Sequence, residues 1–157
     1  MYAGVWLWVT DEPGELSENL DQCRHCAACT LRGYQRKANA MHEAFPEVAM
    51  NIVPNDAFRV TGVLITFPEI DLPALQKRET GYDMIDVAEA LVGEYDEPVY
   101  TFIAPNVTTY HGKQIRQAYI NICLGGVPET ERPQWLLETV VECGISDEPK
   151  DREYRHA

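Results

Sequence analysis

Short apolar runs bounded by Gly, Pro, Asn or Asp predict that the chain before residue 105 is mostly β-strand. The predicted strands are residues 5–9, 27–37, 49–53, 58–67, 82–87 and 98–104. Pro54, Asn55 and Asp56 separate the third strand from the fourth, and these residue types favour turns. We therefore expect a hairpin at that point, with both strands packed side by side.

Helical spacing appears in three other segments, residues 68–79, 112–124 and 133–143. In the first segment Asp71 is expected to cap the helix, and Thr80 and Gly81 are expected to end it. The residues predicted to line the buried faces are Ile70, Leu72 and Leu75, then Ile115, Ala118, Tyr119 and Ile122, and then Trp135, Leu136, Thr139 and Val140. The mixture of strands and helices predicts one α+β domain over residues 1–146 and a polar tail over 147–157.

The net charge of the chain limits the kinds of molecule that we expect it to bind. Against 13 Lys and Arg the 157-residue chain carries 25 Asp and Glu, a formal net charge of −12. Since nucleic-acid binding relies on clustered basic residues, we expect no nucleic-acid partner. The longest apolar run, residues 4–9, is far shorter than the roughly 20 residues that span a bilayer, so we expect no membrane partner and a cytoplasmic protein. The sequence leaves the oligomeric state open.

Four sequence pieces occur in an order that carries a family resemblance. They are LRGYQR at residues 31–36, VTGVLITF at 60–67, DLPALQKRETGY at 71–82 and QAYINICLGG at 117–126. In this order and at these spacings, the chain resembles the gamma-glutamylcyclotransferase-like family. The resemblance implies a small mixed or antiparallel β-barrel flanked by helices, which encloses a cavity for a small gamma-glutamyl substrate, and it implies no cofactor.

The same resemblance places the family's catalytic carboxylate at Glu79. Family members release 5-oxoproline when the substrate's α-amine attacks its own γ-carbonyl, and Glu79 would act first as base and then as acid. We expect a partly apolar cavity with Tyr82 close by to raise the pKa of Glu79. Tyr119 matches a tyrosine of the family pattern and is expected to help shape the pocket. The residues alone also allow Glu79 to be a solvated side chain at a helix C-terminus.

The loop after the first strand departs from the family pattern. Family members carry a Tyr-Gly-Ser-type loop there, whose backbone amides hold the glutamyl carboxylate and the developing oxyanion. Here Val9, Thr10 and Asp11 occupy the expected binding positions, and the chain continues through Glu12 and Pro13. Either this loop binds a differently charged substrate, or the chain keeps the fold as a binding module for a small molecule or a protein.

Three cysteines, Cys23, Cys26 and Cys29, repeat at intervals of three residues with His25 among them. Paired thiolates and a histidine are zinc ligands, but a zinc ribbon needs a second ligand pair that the sequence lacks. We therefore expect no metal, and thiols in a loop as the default, with a disulfide-forming redox pair as a further alternative.

Overall fold

The computed structural model describes residues 2–7, 25–41, 47–105, 107, 114–125, 127–140 and 145–146. Its strands within these ranges are β1 Tyr2–Leu7, β2 His25–Ala40, β3 Ala49–Pro68, β4 Asp83–Asp86, β5 Val99–Ile103, β6 Ile115–Arg116 and β7 Ile145–Ser146. The α-helices within these ranges are α1 Leu72–Arg78, α2 Gln117–Gly125 and α3 Arg132–Val140. The domain limits and the tail from residue 147 stay predictions, because the tail lies outside the described residues.

The main sheet has the strand order β2-β3-β1-β5-β4. All neighbouring strands are antiparallel except β1 and β5, which run parallel with Gly4 opposite Val99. A second, small sheet pairs β6 with β7. This mixed sheet with its helices confirms the predicted α+β class.

A closed barrel is not seen among the described strands. The edge strand β4 and the edge strand β2 are linked through the segment that follows β4, where Leu91 forms an isolated bridge with Leu31. Beside that bridge the Val92 N–H donates to the Thr30 carbonyl at 2.9 Å. The sheet therefore curves far enough for its two edges to be connected locally, and the barrel itself stays a prediction.

The hairpin expected at residues 54–56 is wrong, because both flanking segments belong to the single strand β3. Arg32 of β2 lies opposite Arg59, and Tyr34 lies opposite Pro54, so β3 carries extra residues opposite Gly33. The Asn55 side chain accepts the Ala57 N–H at 3.2 Å and so bends the chain locally. The turn residues thus form a bulge, because β3 pairs antiparallel with β2 both before and after them.

Helix α1 also differs in detail from its expected form. Asp71 stands at the N-cap position without a side-chain capping hydrogen bond, because a 3-10 turn over Glu69–Asp71 leads directly into the helix. Ile70 is 84% exposed and is therefore not on the buried face. Leu72 and Leu75 are, as predicted, packed against the cluster formed by Ile65 and Phe102.

The two later helices share an apolar cluster with β2 and the start of β3. Ile115, predicted to be helical, lies in β6 instead, and α2 buries Ile120 and Cys123. Helix α3 buries Trp135 and Thr139, as its spacing predicted. Met50 of β3 belongs to the same apolar cluster as Trp135 and Ile120, so the helices are fixed to this part of the strand.

Two buried cations lie near these helices. The Arg116 guanidinium donates twice to one oxygen of Glu47, at 2.9 and 2.6 Å, and both side chains are buried. Arg36 lies 5.1 Å from the ring centroid of Trp135, and burial lowers its pKa to about 10. Arg36 therefore stays cationic at neutral pH and lies over an aromatic face, whereas Arg116 pairs with a carboxylate.

Substituting glycine by alanine at two positions tests the bulge. Gly33 has φ +77°, whereas Gly125 lies at the end of α2, where an added methyl group would meet open space. Gly33→Ala should lower the free energy of unfolding by about 1–2 kcal/mol because an L-residue is strained in the left-handed region. Gly125→Ala should leave it unchanged or raise it by about 0.5–1 kcal/mol. Urea denaturation measures both, and equal effects would contradict the bulge geometry.

Candidate active site

Glu79 is the residue that ends helix α1. Its N–H donates to the Leu75 carbonyl at 3.0 Å, and its own carbonyl accepts the Tyr82 N–H at 3.1 Å. Between them Gly81 adopts φ +94°, a conformation that glycine reaches without strain. The helix therefore ends where Thr80 and Gly81 predicted it would, and this tight turn fixes Tyr82 beside Glu79.

The Glu79 carboxylate is partly buried and lies near a cation of its own helix. Its side chain is 30% exposed, and Arg78 Nε lies 3.9 Å from Glu79 Oε1. At that separation the contact with Arg78 is looser than a hydrogen-bonded ion pair. The C-terminal end of a helix also carries a partial negative charge and so disfavours a carboxylate. A group in this position is accessible from solvent, which suits a proton acceptor.

Tyr82 links the end of α1 to the middle of the sheet. Its hydroxyl donates to the Met50 carbonyl at 2.8 Å, and its ring packs against the cluster of Ile65 and Phe102. Burial raises the pKa of the Tyr82 hydroxyl well above its usual range, and the negative charge of Glu79 raises it further. The hydroxyl is therefore neutral at physiological pH and lies within electrostatic reach of the Glu79 carboxylate.

A second hydrogen bond lies beside this contact. The Asn51 side-chain oxygen accepts the Ala104 N–H at 2.9 Å. Strand β1 separates β3 from β5 in the sheet order, and the last described pair of β1 is Leu7 with Val63. Asn51 lies farther along β3, beyond that pair, so the two strands are joined directly past Leu7.

The strand register brings these groups together. Asp83 pairs with Ile103, so Tyr82 and Ala104, the residues next to that pair, are neighbours across β4 and β5. Met50 and Asn51 reach the same two residues from β3. The candidate site therefore lies beyond Leu7 of β1, between the end of β5 and the first half of β3.

Similar folds occur among solved structures. A structure described as gamma-glutamyl cyclotransferase matches with a TM-score of 0.67 at 12% identity, over 98% of this chain and 92% of that one. YkqA from Bacillus subtilis matches with a TM-score of 0.65 at 15% identity, over 85% of this chain and 52% of that one. A yeast gamma-glutamyl cyclotransferase specific to glutathione has a TM-score of 0.50 at 10% identity, over 99% and 92%.

The chain has a gamma-glutamylcyclotransferase-like fold. No protein-family model matches the sequence, and no curated protein matches it significantly. The family-like fold implied by the four sequence pieces is thus confirmed by solved structures of low identity, while the barrel itself stays a prediction. At such low identities the structural similarity shows the fold alone, and the activity of this chain has to be argued from its own residues.

Within this gamma-glutamylcyclotransferase-like fold, some of the predicted pocket residues belong to the described part of the chain and others do not. Tyr119 lies half-buried on α2 and packs against the apolar cluster that contains Met50. Val9, Thr10 and Asp11 lie outside the described residues. Their binding role, and the expected rise in the pKa of Glu79, stay predictions.

The cysteine motif is only partly described. Cys26 and Cys29 lie in strand β2, so the expectation of a loop is wrong for them, and Cys23 lies outside the described residues. The Cys29 Sγ is 3.1 Å from the Tyr95 hydroxyl. No group of three or more His, Cys, Asp or Glu that could hold a metal occurs in the described part of the chain.

None of the helices within the described ranges is long and apolar enough to cross a bilayer.

Sequence reasoning missed Met50, Asn51 and Ala104. The only local signal was an asparagine flanked by apolar residues in a predicted strand, since a buried polar side chain needs specific partners. Which partners it finds depends on Ala104, far away in sequence, and no periodicity indicates that contact.

Replacing Tyr82 by phenylalanine tests its hydroxyl. Tyr82→Phe leaves the Met50 carbonyl without its donor and should lower the free energy of unfolding by about 1 kcal/mol below pH 10. The pKa of Tyr82 is raised in the folded state. Its hydroxyl therefore contributes its full stabilisation below the pKa of an unfolded tyrosine, about 10, and this stabilisation is lost as the pH rises beyond that value. Urea denaturation at several pH values should therefore show a shallower alkaline decline in the variant. A decline as steep as that of the natural protein would contradict the buried hydroxyl.

Proposed function

We propose that the protein is a gamma-glutamylcyclotransferase-type enzyme acting on a small gamma-glutamyl amine or peptide. The observation that carries this proposal is the partly exposed carboxylate of Glu79 beside the neutral Tyr82 hydroxyl. The fold similarity to a structure described as gamma-glutamyl cyclotransferase supports the same assignment. The proposed setting is the cytoplasm, as the sequence indicates.

The reaction joins two parts of one molecule. The substrate's α-amine nitrogen forms a bond to its γ-carbonyl carbon, and the bond between that carbon and the attached amine then breaks. The products are 5-oxoproline and the released amine, so atoms balance without oxidant, reductant or cofactor. Because nucleophile and electrophile are already connected, the enzyme contributes mainly by holding the folded conformer of the substrate.

Proton transfer is the proposed task of Glu79. An α-amino group with a pKa of about 8 is largely protonated at neutral pH and cannot attack in that form. Glu79 accepts a proton from the attacking amine and donates one to the leaving nitrogen, which lets one carboxylate serve both steps. The position at the end of α1 favours this exchange, since the helix dipole there disfavours the charged carboxylate.

The tyrosines and the first loop have supporting roles in this proposal. Tyr82 stays neutral beside Glu79, and Tyr82 and Tyr119 both help to shape the pocket. The backbone of Val9, Thr10 and Asp11 holds the substrate, and the Asp11 carboxylate repels an anionic group brought near it. We therefore expect the part of the substrate near this loop to be neutral or cationic.

Replacing Glu79 by glutamine tests the catalytic role directly. Glu79→Gln keeps the shape of the side chain but cannot accept a proton, and it should lower kcat for 5-oxoproline release by about 10²–10⁴-fold. The assay is 5-oxoproline release from a panel of gamma-glutamyl amino acids, peptides including glutathione, and polyamines.

Glu89→Gln is the matched control, because Glu89 is a glutamate in a 3-10 turn away from α1. It should retain full activity. If Glu79→Gln released 5-oxoproline as fast as the natural protein, the assignment of Glu79 as the catalytic base would be refuted. No release by the natural protein from any member of the panel would favour the binding-module alternative.

A further inference from the structure

We propose that Asn51 is a positioning residue that sets the geometry between Tyr82 and Glu79. This inference rests on the proposed function, and it goes beyond the residues that the family resemblance assigns. Asn51 makes no described contact with Glu79 itself. It acts through the ends of β4 and β5.

The Asn51 amide is fully buried and uses both of its polar atoms. Its side chain is 1% exposed, its oxygen accepts the Ala104 N–H at 2.9 Å, and its nitrogen donates to the Asn39 side-chain oxygen at 3.0 Å. One side chain therefore connects β2, β3 and the residue after β5. An amide is the group that provides a donor and an acceptor at once, and leaving either partner unpaired in the interior is unfavourable.

Consecutive residues of β3 hold both sides of the β4–β5 pair. Asn51 holds Ala104, which follows Ile103 of β5. Met50 holds the Tyr82 hydroxyl, and Tyr82 precedes Asp83 of β4. Because Asp83 and Ile103 are paired, a displacement of the Ala104 end is transmitted to Tyr82.

Tyr82 in turn is tied to Glu79. The Tyr82 N–H donates to the Glu79 carbonyl at 3.1 Å, so the tyrosine ring and the carboxylate belong to the two ends of one tight turn. The distance between the tyrosine ring and the carboxylate therefore depends on where β3 holds the ring. Loss of the Asn51 contact should let the β4–β5 end move away from β3 and uncouple the two side chains.

The test follows Tyr82 by NMR in the full chain. Tyrosine is labelled with carbon-13 at the ring carbon that bears the hydroxyl, and the Tyr82 signal is assigned by its absence in Tyr82→Phe. In the natural protein the chemical shift of this signal should change as Glu79 titrates with pH. We call this change the titration step, and Glu79→Gln should abolish it. Asn51→Leu, which removes both hydrogen bonds, should lose most of the step.

Ile52→Val is the matched control, because Ile52 is the next residue of β3 and is also 1% exposed. It should keep the step. Asn51→Asp retains an acceptor for Ala104 and should restore part of it. If Asn51→Leu does not fold, Asn39→Ala removes the partner of the Asn51 nitrogen and should weaken the step.

Retention of the full step in Asn51→Leu, or in Asn39→Ala if that variant replaces it, would overturn the inference. A natural protein without any step would do the same. Activity adds a separate readout: Asn51→Leu should lower kcat/KM. The loss should shrink in a Tyr82→Phe background, because the effects of substitutions within one coupled network are not additive. Absence of 5-oxoproline release from the natural protein would refute the proposed function alone, since the NMR result does not depend on turnover.

Discussion

The hydrogen bond from the Tyr82 hydroxyl to the Met50 carbonyl, 2.8 Å long, joins the turn after α1 to strand β3. The Glu79 turn also continues directly into β4, and Leu72 and Leu75 add apolar contacts with the sheet, which are not directional. The bond fixes a direction, because a hydrogen bond weakens steeply when its donor and acceptor are misaligned. The position of the proposed catalytic carboxylate therefore depends on a main-chain atom of the longest strand.

Strand β3 can provide that atom because it extends well past β1. Its second half pairs with β1 from Val63 to Pro68, whereas its first half continues beside β2 alone in the described sheet. There Asn51 accepts the Ala104 N–H and the Met50 carbonyl accepts the Tyr82 hydroxyl. The proposed substrate position follows from this arrangement, since the first half of β3 lies beyond the last described pair of β1, Leu7 with Val63.

Much of this arrangement could be predicted from local patterns. The strand over residues 82–87, the helix before it and its end at Thr80 and Gly81 follow from residue types whose preferences act over a few positions. The hairpin at residues 54–56 was wrong because the same turn chemistry also stabilises a bulge, and pairing with the distant strand β2 decides between them. Asn51 and Ala104 were missed since their contact depends on the strand order, which periodicity does not encode.

The proposed substrate site lies beyond Leu7 of β1, between the end of β5 and the first half of β3. The most direct measurement is backbone-amide NMR mapping of the inactive Glu79→Gln chain as a gamma-glutamyl amine is added. If substrate binds there, the largest changes in chemical shift should fall on Met50, Asn51, Tyr82 and Ala104. Saturable changes confined to α3 and Arg36, with these four residues unmoved, would contradict it.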